Sequence, residues 1–297
     1  MNNARKPFFK IHVEVGNTCN LQCTFCPEVK RNKQIMDVDT FRSIVTQIAP
    51  LTEQVCLHLM GEPLLYPHLE EIVNICSAHH LPIFLVTNGL LLREKQQQIL
   101  LNPIFRQICF SLHSFTDNFP TKDPEQYLLR IFHFTEMAFQ ERPELYINYR
   151  LWNLQDPQHH SELNNAMLHS IMQRFGGDLS TITTIDITQK KSVRVCNRLY
   201  IHFDTEFVWP SLDLPTIHKK GTCYGLRNHF GILTDGTVVP CCLDKEGVIS
   251  LGNVHDDSVQ NILNNPRSLA IKQGFQQYKL VEELCTKCPY IERFPTK

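Results

Sequence analysis

Three cysteines near the start of the chain have a spacing suited to binding a metal cluster. Residues 17–27 read NTCNLQCTFCP, so Cys19, Cys23 and Cys26 form a C-x3-C-x2-C arrangement. A structural zinc ion usually takes four ligands in two spaced pairs, and no neighbouring histidine or cysteine completes such a set. Three unrelated thiols on an exposed loop would be prone to oxidation and serve no purpose. The spacing favours a four-iron cluster, because three cysteines leave one iron open to a reacting ligand.

A second group of cysteines lies in the last quarter of the chain. Four thiols there include a C-x2-C pair: Cys223, Cys241, Cys285 and Cys288. By number alone, four thiolates bind zinc or a fully ligated iron–sulfur cluster equally well. Cys242 competes with Cys241, and because neighbours in a strand point to opposite faces, we expect one of the two to bind. The remaining cysteines are predicted to be core thiols: Cys56, Cys76, Cys109 and Cys196.

The bulk composition limits the partners and the location. The chain has 297 residues, a hydrophobic share of 42% and a formal net charge of −1. This charge attracts neither nucleic acid nor an anionic membrane, and no basic stripe with interleaved aromatic residues occurs. Neither a signal peptide nor an apolar stretch of membrane-spanning length is found. We therefore expect a cytoplasmic protein, in which reduced cysteines serve as metal ligands or core residues.

The elements that must position these cysteines alternate between short strands and amphipathic helices up to about residue 190. Strands are predicted over Lys10–Val15, Gln54–Met60, Pro82–Thr87, Gln107–His113, Leu145–Trp152 and Thr183–Thr188. This alternation is typical of a parallel sheet with a site at the carboxyl edge of the strands. Six such units are too few for a complete eight-stranded barrel. The predicted fold is therefore α/β, a partial (β/α)6 TIM-like barrel.

The pattern changes in the C-terminal third. His229–Leu233 and Thr237–Cys242 flank Asp235-Gly236, a strong hairpin signal, and a short helix is predicted over Asp256–Asn264. This part has too little apolar sequence for a core of its own, and a bound metal would compensate. We predict two domains, a barrel over residues 1–190 and a small cysteine-rich domain with a β-hairpin and helices over residues 191–297.

Several predicted strands carry polar residues on one face. Polar pairs occur in the first, fourth and fifth strands: His12 with Glu14, Ser111 with His113, and Asn148 with Arg150. Parallel strands that are covered on both faces are usually apolar throughout. As a set, these pairs favour a hydrated or ligand-filled interior, although exposure at a strand end would explain any one of them equally well.

The N-terminal motif, with the aromatic Phe25 directly before its third cysteine, resembles the signature of the radical S-adenosylmethionine (SAM) superfamily. The resemblance covers about residues 8–190. It implies that SAM chelates the open iron and is cleaved reductively to a 5′-deoxyadenosyl radical, which abstracts hydrogen from a substrate. The protein's part in such chemistry is to bind, to orient and to exclude competing reactions.

Other segments resemble the SAM-binding motifs of the same family. Gly61-Glu62 follows the second strand and resembles the Gly-Gly-Glu motif that contacts the SAM amino group, with Met60 in place of the first glycine. Arg150 lies where related enzymes hold the SAM carboxylate, a role that suits its forked donors, and a surface salt bridge is the alternative. The resemblance implies SAM contacts at Phe25, Gly61, Glu62, Thr87, Asn88, Ser111 and Arg150.

The C-terminal cysteines resemble the twitch domain, the shortened form of the SPASM domain, which holds one auxiliary four-iron cluster. Their spacing is similar to that of 2-deoxy-scyllo-inosamine dehydrogenases, and residues 251–253 also resemble that domain. The residue after Pro240 matches the family pattern, so the resemblance implies Cys241 as the fourth ligand. A full SPASM domain, as in sulfatase maturases, has further cysteines for a second cluster. A fully ligated cluster is expected to accept or relay an electron, which favours net oxidation.

Two kinds of substrate fit these features. The first is a small polar metabolite oxidised by the radical enzyme, with His113, Glu14, His58 and also His12 as candidates for substrate contact or proton acceptance. A proton acceptor helps because a carbon radical bearing a hydroxyl oxidises more easily as it loses its proton. The second is a peptide or protein matured by the enzyme. Maturases of this family often carry a separate peptide-recognition domain before the barrel, whereas here only about seven residues precede the first strand. A non-enzymatic electron carrier would leave the open three-cysteine site unexplained. The family implies flavodoxin or ferredoxin as electron donor.

Overall fold

The computed structural model describes residues 6–153, 162–177, 191–206 and 208–294. The strand predicted over Thr183–Thr188 lies outside these ranges. No helix within them is long and apolar enough to cross a membrane. The chain folds into two compact units, one comprising Met1–Cys19, Pro27–Ile83 and Phe207–Lys297, the other comprising Asn20–Cys26 and Phe84–Glu206. We call these unit one and unit two.

Strands and helices alternate through the first half of the chain. In chain order they are β1 (Lys10–Val13), α1 (Val38–Ile48), β2 (Val55–Cys56), α2 (Leu69–Ala78), β3 (Ile83–Thr87), α3 (Glu94–Leu100), β4 (Phe105–Ser111), α4 (His113–Asn118), α5 (Glu125–Glu141), β5 (Tyr146–Leu151), α6 (Glu162–Phe175), β6 (Ser192–Cys196), β7 (Leu199–Phe203), β8 (His229–Ile232), β9 (Thr237–Val239), β10 (Gly252–Asn253), α7 (Val259–Leu263), α8 (Pro266–Gln276) and α9 (Glu283–Thr286). Short 3₁₀ turns occur at Pro63–Leu65 and Pro289–Arg293.

In unit one the strands follow the order β10-β9-β8-β1-β2. The strand β1 pairs in parallel with β2 on one side and with β8 on the other, so Ile11 lies opposite both Val55 and Phe230. These three side chains are fully buried, and each contributes roughly 1.5–3 kcal/mol by leaving water. The C-terminal hairpin is therefore an edge of the same sheet that contains the first strand of the chain.

In unit two the strands follow the order β3-β4-β5-β7-β6. The strand β5 pairs in parallel with β4 and with β7, while β6 and β7 form an antiparallel hairpin. One of the two neighbours of β5, the strand β7, thus comes after residue 190. The predicted α/β class with parallel strands is confirmed. The domain boundary near residue 190 stays a prediction, because the compact units divide the chain differently.

Local sequence signals account for the helix that follows the cysteine region. Asp37 is the N-cap of α1, and its side chain accepts a hydrogen bond of 2.8 Å from the Thr40 amide. The helix buries Phe41, Ile44 and Ile48, which recur at the spacing of one helical face. Both features depend on short-range spacing in the sequence.

The hairpin β8–β9 forms around the predicted turn, but it is shorter than predicted. Gly236 has φ +84°, and the Asp235 carboxylate accepts a hydrogen bond of 3.0 Å from the Thr237 amide. The second strand ends at Val239 rather than Cys242, because Pro240 has no N–H to continue the ladder. The two cysteines that follow lie outside the strand, so the alternation of strand faces does not choose between them.

Candidate functional site

The loop that carries two of the first three cysteines is held in unit two by the last residues of α4. The Thr24 amide and hydroxyl donate to the Asp117 carboxylate at 2.7 and 2.5 Å. The Gln22 amide donates to the Asn118 side-chain oxygen at 3.0 Å, and the Asn118 amide nitrogen donates to the Cys23 sulfur at 3.1 Å. The loop is therefore fixed by polar side chains on both sides of Cys23.

The end of β3 supports the same loop in unit two. The Asn88 amide donates to the Asn20 side-chain oxygen at 2.8 Å, and the Asn88 carbonyl accepts from the Tyr127 hydroxyl at 2.8 Å. The Thr87 hydroxyl accepts from the Gly89 amide at 3.0 Å, which closes the turn after the strand. Thr87 and Asn88, predicted to contact SAM, thus hold the turn beside the cysteine loop.

Phe25 and His113 lie together in unit two, with ring centroids 4.8 Å apart. The Nδ1 atom of His113 lies 3.0 Å from the Arg150 carbonyl, and a carbonyl only accepts, so Nδ1 carries the proton. Burial lowers the pKa of His113 to about 4. The residue is therefore a neutral imidazole at neutral pH. Ser111 is the last residue of β4, two positions before it.

Arg150 lies at the end of β5 in unit two and is stacked on aromatic rings. Its guanidinium carbon lies 4.4 Å from the centroid of Trp152 and 5.6 Å from that of Phe84. Its Nε atom is buried and has no hydrogen-bond partner among the described residues. The surface salt bridge considered from the sequence is not formed within these ranges. A stacked guanidinium with an unused donor suits an anionic ligand.

The Gly-Glu motif lies in unit one and packs on the backbone that leads to Cys19. The Glu62 amide donates to the Thr18 carbonyl at 3.0 Å. Gly61 has φ +79°, and a Cβ atom there would lie 2.2 Å from the Gly16 carbonyl oxygen. Only glycine permits this approach. The Glu62 carboxylate also accepts from the Leu64 amide at 3.0 Å.

Glu14 is fully buried at the end of β1, and its carboxylate accepts five hydrogen bonds in unit one. Arg31 Nη2 donates to both oxygens at 2.9 and 2.8 Å, and the Met60 amide donates at 3.2 Å. The amide and hydroxyl of Thr234 donate at 3.2 and 3.0 Å. The carboxylate, predicted as a catalytic candidate, is occupied by groups of the protein, and its role in catalysis stays a prediction.

Arg31 joins the segment after the first cysteines to the segment after Cys242. Its Nε atom donates to the Lys245 carbonyl at 2.6 Å, and its amide donates to the Glu246 carboxylate at 3.2 Å. In return, Lys245 Nζ donates to the Glu28 carbonyl at 2.6 Å and forms an ion pair with Glu246. We call Glu14, Arg31, Lys245 and Glu246 the polar strap.

Three histidines are grouped in unit one. The ring of His12 lies 5.8 Å from that of His58 and 6.3 Å from that of His229. His12 Nδ1 lies 3.0 Å from the His58 carbonyl and therefore carries the proton, while the buried Nε2 has no partner among the described residues. Burial lowers the pKa of His12 well below its ordinary value and that of His229 to about 4. His12 thus presents a buried hydrogen-bond acceptor.

The C-terminal thiols are grouped in unit one. Each of the five interacts electrostatically with at least one of the others, and burial raises all five pKa values, that of Cys288 to about 11: Cys223, Cys241, Cys242, Cys285 and Cys288. Buried thiolates are costly without a cation, so this donor set fits a bound iron–sulfur cluster, whose metal ions deprotonate their ligands. No three His, Cys, Asp or Glu side chains in the described ranges converge on the position of a single metal ion.

The two compact units thus divide the predicted residues. Unit one holds Cys19, Gly61, Glu62, Glu14, His58 and the C-terminal cysteines, and unit two holds Cys23, Cys26, Phe25, Thr87, Asn88, Ser111, His113 and Arg150. No sequence pattern pointed to Arg31, Asp117 or Asn118. These residues act through contacts with partners that are distant in sequence, and no short motif marks them.

Comparison with protein families assigns these two cysteine regions. Residues 13–142 match the model of the radical SAM superfamily, and residues 223–289 match the SPASM model, described as an iron–sulfur cluster-binding domain. The chain carries a radical SAM region and a SPASM region. These regions imply a [4Fe–4S] cluster with SAM, and auxiliary iron–sulfur clusters, so the predicted family and cofactors are confirmed.

Relatives of this chain include curated proteins of two organisms. One relative is the S-adenosyl-L-methionine-dependent 2-deoxy-scyllo-inosamine dehydrogenase of Niallia circulans. The two are 33% identical over 103 residues, and the match covers 32% of this chain and 41% of the relative. A second relative is the uncharacterized protein MJ0907 of Methanocaldococcus jannaschii. The two are 30% identical over 89 residues, and the match covers 28% of this chain and 31% of the relative. The matches span less than half the length of either relative.

Solved structures share the fold of this chain. BtrN in complex with AdoMet and 2-DOIA has a TM-score of 0.62 at 17% identity, over 96% of this chain and 94% of that one. SuiB of Streptococcus suis bound to the precursor peptide SuiA has a TM-score of 0.61 at 16% identity, over 96% and 71%. At this identity the likeness establishes the fold alone.

Replacing Arg31 with alanine is expected to destabilise the protein by about 3–5 kcal/mol, because the buried Glu14 carboxylate loses its only charged partner in the strap. Denaturant unfolding under anaerobic conditions, followed by fluorescence, measures the change. Lys33→Ala, at an exposed neighbouring position, serves as the control and is expected to have little effect. Adding Glu14→Gln to Arg31→Ala should recover part of the loss, and no recovery would contradict the charge argument.

Gly61→Ala is expected to be more destabilising than Gly176→Ala. Both glycines have nearly the same positive φ, +79° and +77°, so both substitutions cost about 1–3 kcal/mol of backbone strain. A Cβ at Gly176 meets nothing within 4 Å, whereas one at Gly61 meets the Gly16 backbone. The difference between the melting temperatures of the two variants measures the effect of the steric clash. Equal decreases in melting temperature would show that a Cβ at position 61 is tolerated next to the Gly16 carbonyl.

Proposed function

We propose that this protein is a radical SAM oxidoreductase of a small polar substrate. The observation that carries the proposal is the Cys19–Cys26 loop, whose three-cysteine spacing leaves one iron open and whose backbone is fixed by neighbouring side chains. A [4Fe–4S] cluster bound there supplies an electron that cleaves SAM to a 5′-deoxyadenosyl radical, and the radical abstracts hydrogen from the substrate. Metal ligation by thiolates suits a reducing, cytoplasmic location.

The residues of this chain would bind and orient SAM. The Glu62 carboxylate suits the SAM amino group. The close approach of the Gly61 backbone to Gly16 holds Glu62 against the segment that leads to Cys19. The Arg150 guanidinium, stacked on Trp152, suits the SAM carboxylate as a charge-assisted partner. His113 and Ser111, on the same edge of unit two, suit the ribose, because a neutral imidazole and a hydroxyl both pair with sugar hydroxyls.

A hydroxyl-bearing substrate suits the acceptor that His12 presents. The Nε2 atom of His12 has no proton in the neutral tautomer, so it accepts a hydrogen bond from a hydroxyl or ammonium group. We assign it, with His58 beside it, to substrate contact and proton acceptance. A neutral base of this kind favours oxidation of a carbinol radical, because the proton leaves with the electron.

An auxiliary cluster on the C-terminal thiols would accept that electron. Cys241 interacts electrostatically with Cys223 and Cys285, and Cys242 does so with Cys223 and Cys288. Cys242 in addition packs against the apolar Leu59. This apolar contact, together with the family resemblance, favours Cys241 as the fourth ligand beside Cys223, Cys285 and Cys288. Flavodoxin or ferredoxin would reduce the catalytic cluster, as the family resemblance implies.

A peptide substrate is the second candidate. SuiB, which shares the fold, was solved with its precursor peptide SuiA, whereas BtrN was solved with 2-DOIA. Both substrate classes therefore occur on this fold. The buried histidines favour the small molecule, because a peptide would bring fewer hydroxyl groups to them than a small polar metabolite.

Reconstituted protein is expected to hold about eight irons per chain, in two four-iron clusters. Cys19→Ala should abolish the formation of 5′-deoxyadenosine from SAM under dithionite, because the catalytic iron loses a ligand. Cys285→Ala should lose about four irons but keep SAM cleavage. Cys196→Ala, a half-buried thiol outside both groups, is the control. If the reduced wild-type protein never forms 5′-deoxyadenosine, the enzymatic proposal is wrong.

The substrate class can be tested by deuterium transfer. Turnover with deuterated polyols and amino sugars, compared with deuterated peptides, is expected to place deuterium in 5′-deoxyadenosine only from the small molecules. His12→Asn should lower the yield of oxidised product at least tenfold while 5′-deoxyadenosine still forms, because proton loss rather than hydrogen abstraction is impaired. Deuterium transfer from peptides alone would contradict this proposal and support the maturation of a peptide substrate instead.

A further inference from the structure

The side chain of Asn118 contacts three groups of unit two at once. Its Oδ1 atom accepts from the Gln22 amide at 3.0 Å. Its Nδ2 atom donates to the Ser114 carbonyl at 2.9 Å and to the Cys23 sulfur at 3.1 Å. Both N–H groups of this amide and its oxygen are therefore engaged, and one N–H faces a cysteine of the C-x3-C-x2-C loop.

These partners fix which end of the amide faces the sulfur. A backbone amide only donates, so the atom opposite Gln22 must be the oxygen. A backbone carbonyl only accepts, so the atom opposite Ser114 must be the nitrogen, and exchanging the two would break both bonds. Asn118 therefore presents an N–H, and never its oxygen, to the sulfur of Cys23.

The neighbouring contacts keep the loop in the geometry that this bond requires. Asp117 holds Thr24 through both its amide and its hydroxyl, one residue beyond Cys23. The Cys26 amide donates to the Cys23 carbonyl at 3.1 Å, which closes a turn between the two cysteines. The donor and the sulfur thus belong to one connected set of hydrogen bonds.

We infer that Asn118 raises the reduction potential of the cluster that Cys23 binds, by donating a hydrogen bond to its sulfur. The inference rests on the proposed function, since it takes Cys23 as a cluster ligand. The reduced cluster carries one more negative charge than the oxidised cluster, and a hydrogen bond to a ligand sulfur stabilises that charge. Asn118 is a positioning residue that acts on the reaction through Cys23, by making reduction of the cluster more favourable.

The test measures the midpoint potential of the catalytic cluster in the full-length, reconstituted protein by a titration followed by EPR. Asn118→Leu removes the donor at nearly the same volume, and Asn118→Asp keeps the acceptor for Gln22 and loses the donor. Both variants are expected to shift the potential to more negative values. The Ser114 side chain also hydrogen-bonds the Cys23 sulfur. In D2O, the wild-type reduced cluster should therefore show one more exchangeable deuteron coupling by ENDOR than either variant.

Asp117→Ala is the control, because it loosens the same loop and leaves the sulfur contact in place. It also removes a negative charge, so its potential is expected to stay the same or rise. A fall equal to that of Asn118→Leu would show that loop order, and not the donor, sets the potential, and would overturn the inference. An unchanged potential in Asn118→Leu with full iron content would overturn it as well.

The failure of this inference is distinguishable from failure of the proposed function. A wild-type protein without a three-cysteine cluster, or without SAM cleavage, refutes the function. A wild-type protein that cleaves SAM, with variants of unchanged potential and unchanged deuteron coupling, refutes only the role of Asn118. Asn118→Asp also adds a negative charge beside the sulfur, which lowers the potential by itself. If Asn118→Leu fails to bind the cluster, the deuteron coupling of Asn118→Asp therefore decides between these outcomes.

Discussion

The buried carboxylate of Glu14 is the constraint on which unit one depends. A carboxylate without solvent must have its charge and its lone pairs satisfied by the protein, and here the donors come from three separate segments of the chain. One is the segment that follows the first cysteines, one leads into the Gly-Glu motif and one is the turn of the C-terminal hairpin. A single charge at the end of β1 thus joins three segments of unit one that are far apart in the sequence.

Arg31 shows why this arrangement favours an ion pair over an apolar contact. Its guanidinium meets Glu14 on one side and the Lys245 carbonyl on the other, and its own backbone pairs with Glu246. Apolar packing holds surfaces together but tolerates small slips. Directional hydrogen bonds from a planar fork specify both distance and angle, which suits segments that must present metal ligands. The hairpin β8–β9 gains its place in the sheet from β1 and its alignment from this strap.

In both units, burial sets the protonation state of the groups available for chemistry. His12 and His113 each donate Nδ1–H to a backbone carbonyl, and burial lowers both pKa values, so each is a neutral ring with an unprotonated Nε2. The C-terminal thiols have raised pKa values for the same reason, which disfavours free thiolates. Neutral histidines persist without a ligand, whereas the thiols release their protons when metal ions replace them.

By itself the sequence determined the class of fold, the two groups of cysteines, the cap and buried face of α1 and the hairpin at Asp235-Gly236. Each depends on short-range spacing: the reach of one loop, the period of a helix or the φ that a turn requires. Only the tertiary structure decided the environment of Glu14, because Arg31, Met60 and Thr234 meet it across up to 220 residues of sequence. The same holds for Asn118, which lies 95 residues from the sulfur that it contacts. Spacing predicts which residues can bind a metal, but the partners of a buried charge or of a ligand sulfur depend on where distant segments pack.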